Sequence, residues 1–192
     1  EMIISDEWKA GDFEALWMDG KDTKKQPNLW TNTAEFKISV DKPVLWTAQN
    51  PSLYQLCISL YTGEICLETR TQAVGIRSAA FHPKKGFLLN GEQVKLNGVC
   101  LHHDGGCVGA AVPKAVWERR LKKFKDMGVN AIRCAHNPPD VALLDLCDEM
   151  GFVLWAEIPY ISQHMPNGRE NTISQMNELV IQNYNHPSIV VW

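Results

Sequence analysis

The sequence predicts two architectures in succession, an antiparallel β-sandwich over residues 1–80 followed by a parallel sheet of β/α units over 81–192. Two observations carry this. In the first stretch apolar and polar residues alternate one by one between Gly and Pro turn signals, the pattern of strands with one buried and one wet face. In the second, short apolar runs alternate with amphipathic helical stretches, the pattern of a sheet whose crossovers are helices.

In the sandwich region the strand-like stretches are Phe13–Trp17, Glu35–Val40, Leu53–Tyr61 and Ile65–Thr71, separated by Asp19-Gly20, Lys42-Pro43 and Thr62-Gly63. Leu56, Ile58 and Leu60 alternate with Gln55, Cys57 and Ser59, and Ile65 and Leu67 alternate with Cys66 and Glu68 across the turn. From Phe87 the period changes. Val94–Gly98 is expected as a first parallel strand, and Pro113–Met127 as a helix that turns Trp117, Leu121 and Phe124 inward and closes at Gly128. Ala131–Arg133 is a second strand, Asp140–Met150 a helix between Pro139 and Gly151, and Phe152–Ala156 a third strand. Thr172–Tyr184, capped by Asn171 or Thr172, is a third helix, and Ile189–Trp192 a fourth strand. Four strands are about half of those that close a (β/α)8 barrel. The long unpatterned segment Tyr160–Glu170 follows the third strand, where barrel enzymes carry active-site loops.

Composition narrows the function. A net charge of −3 gives no electrostatic case for nucleic acid, and the Arg119-Arg120-Leu121-Lys122-Lys123 cluster reads as the solvated face of a helix diluted by Glu118 and Asp126. No apolar run reaches the ~18 residues of a membrane helix. The six cysteines show neither a C-x-x-C pair nor zinc spacing, and every Asn-x-Ser/Thr is blocked by proline, which together point to a reducing, cytoplasmic setting. No metal or cofactor is expected, since the adjacent His102 and His103 would point to opposite faces of a strand.

Polar groups at the carboxyl ends of parallel barrel strands point into a common mouth. Here those ends carry His102, His103 and Asp104, then Arg133, His136 and Asn137, then Glu157. Such a set is a wall of donors and acceptors for a hydroxyl-rich ligand. An equal alternative is that Arg133 and Glu157 form a structural ion pair while the histidines satisfy loop carbonyls. Cys134, two residues from His136, could be a nucleophile but reads more simply as a small buried apolar residue. Asp145, Asp148 and Glu149 lie between strands on a helix and read as surface or capping groups.

The run Asn130-Ala131-Ile132-Arg133-Cys134-Ala135-His136-Asn137-Pro138, continued through Asp148 and Gly151 to Phe152-Val153-Leu154-Trp155, resembles one signature of glycoside hydrolase family 2, the β-galactosidase and β-glucuronidase family. Asn185-His186-Pro187-Ser188-Ile189-Val190-Val191-Trp192 resembles the first part of a second signature. Val44-Leu45-Trp46 with Pro51-Ser52-Leu53-Tyr54 is similar to a stretch of that family's immunoglobulin-like domain, and Gly75-Ile76-Arg77 to its exit into the barrel.

The resemblance implies an immunoglobulin-like β-sandwich followed by a partial TIM barrel of about four strands. It aligns His102 with the family's strand-one histidine, and Arg133 and His136 with the arginine and histidine beside the sugar subsite. Asp104, Asn137 and Glu157 complete the candidate substrate wall. The catalytic acid/base and nucleophile glutamates are expected beyond Trp192, so the chain alone is expected to be inactive. Three departures bear on the wall: Asn137 replaces the family's usual tyrosine, Ala156 stands where an aspartate commonly precedes Glu157, and His103 stands where relatives often have glutamate.

The resulting expectation is part of a retaining glycosidase acting on terminal β-linked sugars, β-galactosides first. The alternative is a non-catalytic carbohydrate-binding or assembly module. A carbohydrate substrate and the remainder of the barrel are the expected partners, with self-association through the open half-barrel, and no nucleic acid or membrane.

Overall fold

The computed structural model describes residues 38–160 and 167–192. The expected strand Phe13–Trp17, the Asp19-Gly20 turn, the first half of Glu35–Val40 and residues 161–166 of the loop after the third parallel strand lie outside them. The chain divides into two compact units, Glu1–Pro43 with Gln55–Gln72, and Val44–Tyr54 with Ala73–Trp192.

The described residues of the first unit lie mainly in one hairpin. Strand β1 (Tyr54–Thr62) returns as β2 (Ile65–Val74) through a turn at Gly63, whose φ of 58° is open to glycine at little cost. Ser59 and Thr69 bond hydroxyl to hydroxyl across it at 2.9 Å.

The second unit begins with a small antiparallel sheet that the periodicity did not reveal: β3 (Ala79–His82), β4 (Gly86–Leu89) and β5 (Glu92–Gln93) in that order. Its β4 turns Phe87 and Leu89 into a cluster with Trp46 and Val153. The first parallel strand is β6 (Gly98–Leu101), not Val94–Gly98. The start of the expected strand goes to the small sheet instead, because the Val94 amide donates to Phe87 O at 3.0 Å and extends the β4–β5 pairing. Asn97 then accepts from the Asn130 amide, which starts the parallel ladder after it.

A four-stranded parallel sheet follows, in the order β6, β7 (Ala131–Cys134), β8 (Val153–Ala156), β9 (Ile189–Val191). Its crossovers are α1 (Lys114–Asp126), α2 (Val141–Met150) and α3 (Arg169–Asn183). Helix α1 turns Trp117 and Leu121 inward, as their spacing of four predicts. It ends where Gly128, at φ 77°, donates to Lys125 O and Val129 donates to Phe124 O, a left-handed cap that uses the last free carbonyls. Asp140 caps α2 by accepting from the Ala142 amide at 2.9 Å, and its other oxygen accepts from Trp117 Nε1 at 3.1 Å, joining the two helices. Gly151 closes α2 at φ 73°, where a Cβ would also stand 2.3 Å from Ala48 O. Helix α3 starts three residues before the expected Thr172. The Thr172 hydroxyl donates to Gly168 O inside the first turn, so it is not the cap.

Period-two geometry splits the strand residues between two faces. Ile132, Cys134, Leu154, Ala156 and Ile189 pack with Leu121, Leu144 and Leu179 of the helices in the main core. At sites as enclosed as Leu121 and Leu144, truncation to alanine costs about 2–5 kcal/mol. The opposite face carries Ala131 and Arg133 on β7 and Val153 and Trp155 on β8, in register with one another. Its amino end packs on Phe87 and Leu89, while at its carboxyl end Trp155 is 44% exposed. The polar strand ends therefore look onto accessible space.

Candidate functional site

Arg133 is the last residue of β7 on the open face, and Glu157 follows β8 directly. Parallel register brings them together. Arg133 Nε donates to Glu157 Oε1 at 2.5 Å and a terminal nitrogen donates to Oε2 at 3.2 Å, a two-pronged pair that fixes both planes. The His136 amide also donates to Oε2, at 2.9 Å. Burial alone would raise the Glu157 carboxyl, but the hydrogen bonds from Arg133 and from the His136 backbone outweigh it and hold it below the ordinary carboxylate range. The same pair pushes the Arg133 guanidinium further up. Both stay charged at neutral pH.

His136 reaches this position through a left-handed backbone, φ 66°, uncommon outside glycine. Its Nδ1 is enclosed and lies 3.3 Å from Glu157 Oε2, near enough for attraction but out of line for a hydrogen bond. The His102 ring stands 6.1 Å from the His136 ring. Asn137 turns back on its own loop, its Nδ2 donating to Ala135 O at 2.6 Å. Asp104 is exposed, and its carboxylate accepts from the Gly106 amide at 3.3 Å in a local turn. Arg133, His136, Glu157 and His102 are thus gathered at one mouth, while Asn137 and Asp104 make local loop contacts.

The aromatic part of the site did not figure in the sequence expectations. The Arg133 guanidinium lies over the Trp155 ring at 4.9 Å. Beyond the pair opens a cleft of about 410 Å³ lined by Arg133, Trp155, Glu157, Tyr160, Met176 and Trp192, among others. The signal was present, because Trp155 pairs with Arg133 in register and must share its face.

Other chemistries fit poorly. The Cys134 thiol faces the helices and its pKa is pushed up to about 12, mainly by burial, so it is a core residue rather than a nucleophile. Among the described residues no group of three or more His, Cys, Asp or Glu is placed to hold a metal ion. No described helix is long and apolar enough to cross a membrane.

Asp148 is not a surface group. It is 4% exposed on α2, with Oδ2 at 2.6 Å from His186 Nδ1 and Oδ1 accepting from the Ser188 amide at 3.0 Å. Asp145 and Glu149 on the same helix are exposed.

Comparison with known proteins gives a consistent result. A sequence model described as the TIM barrel domain of glycosyl hydrolases family 2 matches residues 82–192, and one described as glycosyl hydrolases family 2 matches residues 3–77. A β-galactosidase of Bacteroides ovatus is 41% identical over 163 residues, covering 81% of this chain and 19% of that protein. A β-glucuronidase of Bacteroides fragilis is 39% identical over 171 residues, covering 82% of this chain and 24% of that protein. Among solved structures, a β-glycosidase of Bacteroides vulgatus superposes with a TM-score of 0.72 at 39% identity, covering 79% of this chain and 20% of that one. A β-glucuronidase of Parabacteroides merdae gives 0.73 at 32%, covering 80% and 19%. The chain spans about a fifth of the length of these relatives.

Proposed function

Because the chain belongs to glycosyl hydrolase family 2, with a sandwich domain followed by part of a TIM barrel, we propose that it supplies one wall of the sugar site of a retaining glycosidase that cleaves terminal β-linked sugars. The observation that carries this reading is the Arg133–Glu157 pair, set between Trp155 and the cleft. A guanidinium and a carboxylate held rigid against each other still offer unused donors and lone pairs to sugar hydroxyls. Indole rings beside them suit the apolar C–H faces of a pyranose.

In a retaining enzyme one carboxylic acid protonates the leaving oxygen and a second carboxylate, about 5–5.5 Å away, attacks the anomeric carbon. Glu157 is committed to Arg133 and the His136 amide, so its role is to position and bind substrate. The acid and nucleophile belong to other residues of the enzyme, and the 192 residues alone are expected to be inactive.

The same pairing favours an uncharged sugar. Arg133, the cation of the described cleft lining, is already matched by Glu157. Among the described lining residues a uronate carboxylate there would meet Glu157 without a free counter-charge. A β-galactoside is therefore the proposed substrate. The test is kcat/KM of the polypeptide that carries this sequence on 4-nitrophenyl β-D-galactoside and β-D-glucuronide. The galactoside is expected to be preferred; a glucuronide preference refutes the uncharged sugar, and binding without hydrolysis of either would make the protein a carbohydrate-binding module.

A further inference from the structure

Strand β9 is three residues long, pairs among the described residues with β8 alone, and crosses an irregularity of register between Leu154 and Trp155. The ladder therefore constrains it weakly, yet the next residue, Trp192, lines the cleft beside Arg133 and Glu157. Something besides sheet pairing must set where β9 begins.

Contacts converge on the turn before it from two segments distant in sequence, and a third holds one of these in place. Asp148 of α2 takes His186 on one oxygen and the Ser188 amide on the other. Arg77 donates from Nε to Pro187 O at 2.9 Å and from a terminal nitrogen to Ile189 O at 2.5 Å. Gly75 packs so closely that a Cβ there would stand 2.6 Å from the Pro187 ring. Asp148 is in turn fixed through its backbone, because Trp46 Nε1 donates to its carbonyl at 2.9 Å. Trp46 and Ser188 are fully enclosed, and Asp148 and His186 nearly so. Helix α2 uses its own Asp140 as cap, so it has no need of the Asp148 carboxylate.

We propose that Asp148 is a positioning residue, which through His186 and Ser188 sets the start of β9 and thereby the placement of Trp192 in the sugar cleft. This rests on the glycosidase reading for its effect on turnover, though not for its effect on the strand. A carboxylate suits the task because its two oxygens accept from a ring and an amide at once, along fixed directions, where a hydrophobic side chain would only fill volume.

The test compares Asp148→Leu and Asp148→Asn with the exposed-site control Asp145→Asn, all in the polypeptide that carries this sequence. Amide exchange over Ile189–Val191 is measured against Ala131–Cys134 of β7, together with kcat and KM on the aryl glycoside that the unaltered protein hydrolyses. Asp148→Leu is expected to speed exchange at β9 about tenfold or more over β7 and to lower kcat by a factor on the order of 10² with a smaller change in KM, as a misplacement of about 1 Å does. Asp148→Asn, which keeps an acceptor for the Ser188 amide, is expected to fall between Leu and the control, and it carries the test if the Leu variant does not fold. Uniform loss of exchange protection, or unchanged kcat in folded protein with a lowered Tm, overturns the proposal. If the unaltered protein hydrolyses neither glycoside, the glycosidase reading fails and the exchange comparison alone decides the role of Asp148.

Discussion

Arg133 and Glu157, 24 residues apart, meet as a two-pronged ion pair at the carboxyl ends of adjacent parallel strands, with the His136 amide as a third donor to the carboxylate. Residue spacing left a structural pair and a ligand wall equally open. The geometry is compatible with both at once, since the Arg133 side chain is 35% exposed and borders the cleft while Glu157 is 13% exposed behind it. In such a pair the enclosed partner orients the outer one.

Removal of Arg133 separates the two roles. Arg133→Ala in the polypeptide that carries this sequence is expected to lower kcat/KM on an aryl β-glycoside by a factor on the order of 10² or more, in the range for loss of one preorganised polar contact. Arg133→Lys, which cannot supply a two-pronged fork, is expected to recover little of it. Unchanged kinetics with a lowered Tm would mark the pair as purely structural.

The depressed Glu157 carboxyl fixes a direction for pH dependence. Its folded-state pKa lies below the unfolded value of about 4.3, so the pair stabilises the fold above that pH and the contribution is lost as pH falls through the folded pKa. Glu157→Gln is expected to lower Tm at pH 7 and to narrow its difference from the unaltered protein as pH drops below about 4. Thermal melts between pH 7 and 3 check this, and a gap that widens on acidification would contradict it.

Much of this arrangement was legible in the sequence, for identifiable reasons. The spacing of Trp117 and Leu121, the cap residue Asp140 and the glycines at 128 and 151 are local signals with local consequences, and α1 and α2 form close to where they indicate. Strand β6 shifted because apolar residues recur from Val94 and Leu96 through Val99 and Leu101, and the bond of the Val94 amide to Phe87 O ties the first of them to the small sheet. The burial of Asp148 was not legible, since its partners lie 38 and 40 residues away and its helix position alone resembles those of Asp145 and Glu149. Trp155 was legible by strand alternation but lay outside a search confined to polar groups.

Ser188 gives a test of the buried network. Its amide is held by Asp148, but its hydroxyl is enclosed without a hydrogen-bond partner. A buried unsatisfied hydroxyl costs about 1–3 kcal/mol, so Ser188→Ala is expected to be neutral or to stabilise by up to about 1 kcal/mol. His186→Ala, which strips Asp148 of a buried partner, is expected to destabilise by roughly 3–5 kcal/mol. Urea unfolding of the two variants checks the contrast.

Thiol reactivity follows burial. Cys57, Cys66, Cys100 and Cys107 are exposed, whereas Cys134 and Cys147 are buried and burial pushes both thiols up, Cys134 to about 12. In the folded polypeptide at pH 8 a disulfide reagent is expected to label the first four and to reach the other two only after unfolding. Rapid native labelling of Cys134 would contradict its place among the helix-facing core residues.

The open face of the parallel sheet leads to an expectation about the 192-residue polypeptide in solution. Phe81, Leu96 and Trp155 are each at least 40% exposed around a cavity of about 460 Å³ on the face away from the helices, and the sheet ends at β6 and β9 with neither edge paired among the described residues. Apolar patches of this kind seldom remain in water on a monomer, and unpaired strand edges offer a template for another chain. The polypeptide is therefore expected to self-associate in sedimentation velocity, with weight-average mass rising with concentration. Trp155→Lys, which places a charge on the face without touching the helix side of the sheet, is expected to shift the distribution toward monomer. A monomer that persists at high concentration would refute the expectation.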